Sequence, residues 1–290
     1  MSGDLTFGLG GPQSSDARPS DEVGVTLSIR YNAAVGGCST KPVGLLPYVL
    51  LVMLPSLALT LWAAWRVRST YSRWDKVDSG ISMPAFDFAR YLLNQQGLNE
   101  VRVEPTPGHL TDHYDPRSRV LRVSSAVASS RGTGEYDPLE QTLSYADHNR
   151  GRLSVAAVAV IAHEVGHAAQ HKQGDPAMAL RQLVVPVANI GSSLAPWLII
   201  AGVIFQIFNL AIVGLAFFAG AVLFTFVTLP VEFGASNRAL AYVGPLGLIG
   251  ERGDGAKAVL RAAGWTYVAA ALTALLTFLY YLTLVMGSRR

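Results

Sequence analysis

Cysteine is nearly absent: Cys38 is the single one in 290 residues, which excludes an internal disulfide framework and a zinc cage built of thiolates. Charge is scarce as well. Asp, Glu, Lys and Arg make up 15% of the chain against 50% apolar residues, and the mean hydropathy of +0.32 exceeds that of an ordinary soluble domain. The scarcity is concentrated in long runs. Residues 43–65 and 266–286 contain no charged side chain, and each is long enough to cross a bilayer core, which takes about 20 helical residues. Between Arg181 and Glu232 there is no Asp, Glu, Lys, Arg or His. That run is too long for one crossing and suits two, at 188–208 and 210–230, with Asn209 near the turn. The first 42 residues lack an apolar run behind a positive charge, so no cleaved secretory signal is expected there. Rich in Gly and Ser, they read as a flexible tail in which "VTLSIRY" has the composition of one strand. The net charge of +3 comes from scattered basic residues, some of them flanking the spans. Membrane topology accounts for it, and no nucleic-acid partner is expected.

What charge there is lies mostly in residues 66–187, which read as the water-exposed domain. "SMPAFDFARYLLNQQG" has the marks of a helix: Ser82 as N-cap, Pro84 in the first turn, Ala85, Phe88, Ala89 and Leu92 on one face, and Gly97 as the stop. "VRVEP" and "RVLRVSS" read as two short strands joined by "TPGHLTDHYDPRS", and such a pair offers an edge to an extended peptide. Residues 126–152, with Gly132, Gly134 and Pro138, read as a loop or lid. A further helix spans 154–172 and is closed by Gly174 and Pro176. The fold class expected is mainly α with a small β element: about four transmembrane helices carrying an α+β domain.

The last of those helices carries "AVIAHEVGHAAQH", three imidazoles and a carboxylate on an apolar segment, where an unpartnered polar group costs on the order of 2–7 kcal/mol. Metal ligation answers that cost. His163 and His167 form an H-E-x-x-H sequence, and residues four apart on a helix project about 6 Å apart on one face, so both can reach one Zn²⁺ at about 2.0–2.1 Å. Glu164, about 100° around the axis, then contacts a water at the open coordination position. Zinc lowers the pKa of such a water to about 7, and the carboxylate takes its proton as it attacks a carbonyl carbon. His171 is too distant to be the third ligand, since eight helical residues put it about 12 Å from His163; it suits the helix end as an imidazolium. The pattern with a third histidine after a glycine turn also fails, because Gln170 and Gln173 fill the Gly and His positions.

Glu232, in "TLPVEFGASNRAL", is the first charged residue after the long apolar run and would begin a helix following Pro230. It reads either as an interfacial glutamate marking the end of a span or as the third ligand. Ligation requires the run to cross an even number of times, as its length already implied. Residues 231–265 would then hold this helix and a loop before the last span. Arg66, Arg68, Arg73 and Lys76 follow the first span while Arg30 and Lys41 precede it, so the positive-inside rule puts the water-exposed domain in the cytoplasm. Arg289 and Arg290 at the other end run against it.

The stretches "VRVEPTPGHLTDHYDPRSRVLRVS", "AHEVGHAAQH", "VVPVANIGSSLAPW", "VTLPVEFGASNRAL" and "VLRAAGWTYVAAAL" resemble the YugP-like family of membrane zinc metallopeptidases. The family is similar to the wider gluzincins, in which two histidines of H-E-x-x-H and a downstream glutamate hold zinc. The resemblance implies a zincin-like catalytic domain, one catalytic Zn²⁺ on His163, His167 and Glu232, and Glu164 as general base. In many gluzincins an aspartate stands four residues after the ligand glutamate and supports a zinc-bound histidine. Here that position is Ser236, a hydrogen-bonding group without charge. His109 and His113, in "GHLTDHYDP", are candidate catalytic residues as donors to a tetrahedral oxyanion, although Asp112, His113 and Asp115 also suit a turn.

Three functions follow. The first is a membrane-embedded zinc endopeptidase acting on peptide or protein substrates, membrane proteins among them. The second is a noncatalytic zinc-containing scaffold or partner-regulated adaptor. A metal transporter is the third, and it is disfavoured because transporters carry ionisable groups within their spans.

Overall fold

The computed structural model describes residues 45–129, 134–137, 142–145 and 152–287. The expected tail, with Cys38, and the rest of the 126–152 loop lie outside them. In chain order the elements are α1 (Leu45–Tyr48), a π-helical turn (Val49–Met53), α2 (Leu54–Trp74), β1 (Asp78–Ser82), α3 (Ala85–Gln95), β2 (Arg102–Thr106), β3 (His113–Asp115), β4 (Val120–Ser124) and α4 (Ser125–Ala128). There follow β5 (Gly134–Asp137), β6 (Thr142–Tyr145), β7 (Arg152–Ser154), α5 (Val155–Lys172), α6 (Pro176–Ile204), α7 (Phe208–Val243), a 3₁₀ turn (Gly244–Leu246) and α8 (Gly250–Gly287).

Four helices among the described residues are long and apolar enough to cross a membrane: Leu46–Trp74, Pro176–Ile204, Phe208–Leu246 and Gly250–Gly287. Each is longer than the apolar run that marks it in the sequence, because a helix continues past the lipid wherever packing or water accepts its side chains. The hairpin turn falls at Phe205, Gln206 and Ile207, with Gln206 at φ 57°, just ahead of Asn209. The largest difference is at Pro230. No new helix begins there; α7 runs through it unbroken. Proline removes one backbone donor, and the buried Val231, Ala235 and Ala239 that follow hold the helix by packing.

Aromatic and basic side chains cluster at one level of the bundle. Trp62 of α2 meets Trp265 of α8 edge to face, with centroids 5.6 Å apart, and the Arg66 guanidinium lies 5.8 Å from the Trp62 ring. Tryptophan beside arginine is the composition of a membrane–water boundary.

The water-exposed part is built around α5. Ser154 caps it by accepting from the Ala157 N–H, and its hydroxyl donates 2.8 Å to Asp75 at the end of α2, so the helix start is tied to the first span. Phe88, Leu92 and Leu93 of α3, Leu121 of β4 and Leu153 of β7 are fully buried beside Ile161 of α5. The two strands expected as a pair do pair, and they are parallel: Arg102 faces Val120 and Thr106 faces Ser124. The linking segment is about the dozen residues that a parallel return needs. It contributes β3, which runs antiparallel to β4 and forms the outer edge of the sheet, in the order β2-β4-β3.

The α6–α7 hairpin packs backbone to backbone. A Cβ at Gly191 would collide with the Phe217 carbonyl. Gly191→Val is therefore expected to destabilise the hairpin by about 1–3 kcal/mol and to lower the thermal midpoint in detergent. Gly244→Ala, where a Cβ meets nothing within 4 Å, is expected to leave the midpoint unchanged.

Candidate metal centre

On α5 the four-residue spacing puts His163 and His167 side by side, with ring centroids 4.7 Å apart and planes at 82°. Glu232 reaches them from α7 because the two helices almost touch. Gly166 lies between the histidines, and a Cβ there would sit 2.7 Å from the Ala235 carbonyl oxygen. That closeness delivers Glu232 Oε2 to 3.2 Å from His163 Nε2 and 3.4 Å from His167 Nε2. The three ligand atoms lie within 4.8 Å of one another, and Glu232 is 2% exposed. Two imidazole nitrogens and one carboxylate oxygen form a donor set that suits a divalent ion such as Zn²⁺ and leaves a coordination position open.

Each of the three is held from behind. Ser236 Oγ is 3.2 Å from His163 Nδ1, where many gluzincins carry an aspartate. Gln170 Oε1 is 3.0 Å from His167 Nδ1. Arg181 of α6 donates 3.1 Å to Glu232 Oε1, which leaves Oε2 turned toward the histidines. Sequence reasoning reached Ser236 and missed the other two. Gln170 entered it only as a mismatch to a three-histidine pattern, and Arg181 only as the border of an apolar run.

Glu164 is buried on the neighbouring face, and its Oε2 accepts 2.8 Å from the Tyr114 N–H of β3. Burial pushes its carboxyl up to about 7; His163 and the Tyr114 N–H pull down, while Asp112 and Glu232 push up. The Tyr114 hydroxyl also meets His171 Nδ1 at 2.9 Å, so one β3 residue is fastened to α5 twice.

Glu164, His167 and Glu232 line a cavity of about 780 Å³. Its other walls are β3 and the following turn through Arg117, the α6 residues Met178, Arg181, Gln182, Val185 and Asn189, and Tyr267 of α8. His113 also lines it, with Nδ1 2.8 Å from the Thr111 carbonyl and Nε2 3.3 Å from Arg122 Nη1. A carbonyl only accepts and a guanidinium only donates, so the single N–H of the neutral ring points at Thr111. His109 meets Tyr71 edge to face, with centroids 5.2 Å apart, and is not among the lining residues. Asp112 accepts from both the N–H and the hydroxyl of Ser124 at 2.7 Å; burial raises its pKa, and those two bonds oppose the rise. Asp115 accepts from the Ser118 hydroxyl and the Arg117 N–H, which hold its carboxyl below the usual range. These two carboxylates tie the turn.

The family described as "putative neutral zinc metallopeptidase" matches residues 49–134 and 126–286. The chain belongs to this family. Its second matched stretch contains all three residues of the metal cluster and Glu164. A relative named "putative membrane protease YugP", from Bacillus subtilis (strain 168), is 37% identical over 235 residues, which are 81% of this chain and 95% of that protein. No solved structure matches.

Glu232→Gln keeps the volume of the side chain and removes the anionic ligand. Purified from membranes at wild-type yield, this variant is expected to hold less than about a tenth of the wild-type zinc by metal analysis, in line with the loss of one of three protein ligands. Undiminished zinc would mean that the ion is bound elsewhere.

Proposed function

We propose that this protein is a zinc-dependent endopeptidase of the membrane, cutting polypeptide segments at the cytoplasmic face. The reading rests above all on the convergence of His163 Nε2, His167 Nε2 and Glu232 Oε2 beside the buried Glu164, in a cavity bordered by β3. A bound zinc ion supplies a Lewis acid that makes water acidic near neutral pH and polarises a carbonyl.

The protein's own groups do the rest. Glu164 takes the proton from the attacking water and returns it to the departing amine, as a general base that becomes a general acid. Its carboxylate form would be favoured beforehand by a cation held on His163, His167 and Glu232. Arg181 holds one oxygen of Glu232 and so aims the other. β3, the outer strand of its sheet, offers an extended segment a backbone edge to pair with.

The opposite wall supports a substrate near the bilayer. On α6, Arg181, Val185 and Asn189 line the cavity, whereas Leu183, Val187 and Ile190 on the outer face are 74%, 48% and 52% exposed, as lipid-facing residues are. One helix thus has lipid on one side and the reaction chamber on the other. Peptide segments close to a membrane span are the substrates that reach such a chamber.

Glu164→Gln is expected to retain stoichiometric zinc and to lower kcat/KM on an unfolded polypeptide by about 10²–10⁴-fold, the usual contribution of a general base. Unchanged proteolysis would end the catalytic reading and leave the scaffold. Orientation is tested separately on a Cys38→Ser background. A cysteine placed at Arg117 is expected to resist a membrane-impermeant maleimide in intact cells and to react after lysis; labelling before lysis would put the chamber outside.

A further inference from the structure

Gln170 has no exposed surface, yet it carries a primary amide one turn beyond His167. The amide has three partners: His167 Nδ1 at 3.0 Å, the Val231 carbonyl at 3.0 Å and Asp175 Oδ2 at 3.4 Å. A carbonyl and a carboxylate can only accept, so the NH₂ end must face Val231 and Asp175. The oxygen end is then left for His167. Since an amide oxygen also only accepts, His167 carries its proton on Nδ1, and its Nε2 lone pair faces the ligand cluster. Nε2 is the atom that lies 3.4 Å from Glu232 Oε2.

The Val231 carbonyl belongs to the peptide that leads into Glu232. α7 is bare where the amide reaches it: a Cβ at Gly234 would lie 2.8 Å from Gln170 Nε2. Ser236, behind His163, imposes no such choice, because a hydroxyl can either donate or accept.

We propose that Gln170 is a positioning residue that couples two metal ligands. By donating to Val231 it registers α7, and by accepting from His167 it fixes the tautomer that can bind a metal. The second ligand is therefore set in its binding form when the third is in place. This rests on the metal reading above and assigns Gln170 no contact with substrate.

The test compares the full-length wild type with Gln170→Leu and Gln170→Glu in detergent. Zinc affinity is read by chelator competition, ligand geometry by the visible absorption bands of the Co²⁺-substituted protein, and stability by thermal unfolding. Glutamate still accepts from Nδ1–H but has no donor for Val231, and it buries a charge beside Asp175. Leucine offers neither bond and no charge. Coupling through His167 predicts zinc affinity in the order wild type, Glu, Leu, with Leu weaker than wild type by about 10–100-fold and only Leu displacing the Co²⁺ bands strongly. A merely structural role predicts that affinity follows stability, with Glu the worse of the two. Affinity in that reversed order, or Leu within about threefold of wild type, overturns the proposal and leaves the metal reading intact. A wild type that binds no zinc removes the metal reading itself. Where Leu does not fold, Gln170→Met takes its place under the same criteria.

Discussion

The contact between Gly166 and the Ala235 carbonyl sets the terms for the rest of the site. Two α-helices with ordinary side chains between them stand about 8–10 Å apart at the axes, and a missing side chain at the crossing lets them approach more closely. The bare Cα at Gly166, with a notional Cβ only 2.7 Å from the Ala235 oxygen, closes that gap. Glu232 arrives already buried. Its desolvation is offset on one oxygen by Arg181, while the other faces the two imidazole nitrogens, an arrangement that a bound cation would complete.

Around this contact the chain divides the work between water and lipid. α5 is fixed at its start through Ser154 to the end of α2, in its middle through Glu164 to β3, and near its end through Gln170 to α7. The small sheet contributes an edge and a backbone donor, and the spans contribute Glu232, Arg181 and Tyr267. Neither half contains the whole set.

Much of this was legible from residue order. The four-residue spacing of the histidines, the Ser154 cap and the end near Lys172 defined α5, because caps and periodicity are local signals. The even number of crossings between Arg181 and Glu232 followed from length alone, and Ser236 from its offset after Glu232. What stayed hidden depends on neighbours distant in the chain. β propensity marks "VRVEP" and "RVLRVSS" as strands but carries no sign for parallel or antiparallel, and the direction came from a connecting segment that is itself a strand. Pro230 looked like a helix start because proline favours a first turn, and only the packing of Val231 and Ala235 keeps α7 continuous. Gln170, Arg181 and Tyr267 are ordinary residue types whose meaning appears once α5, α6, α7 and α8 meet.

The unbroken course of α7 carries a consequence for how this chemistry can be isolated. Because Glu232 sits on a helix long and apolar enough to cross a membrane, an excerpt ending before α6 would keep two of the three clustered residues and lack the third. Assembly of the cluster is in this sense a property of the whole polypeptide, reached when the chain has run out along α6 and come back along α7.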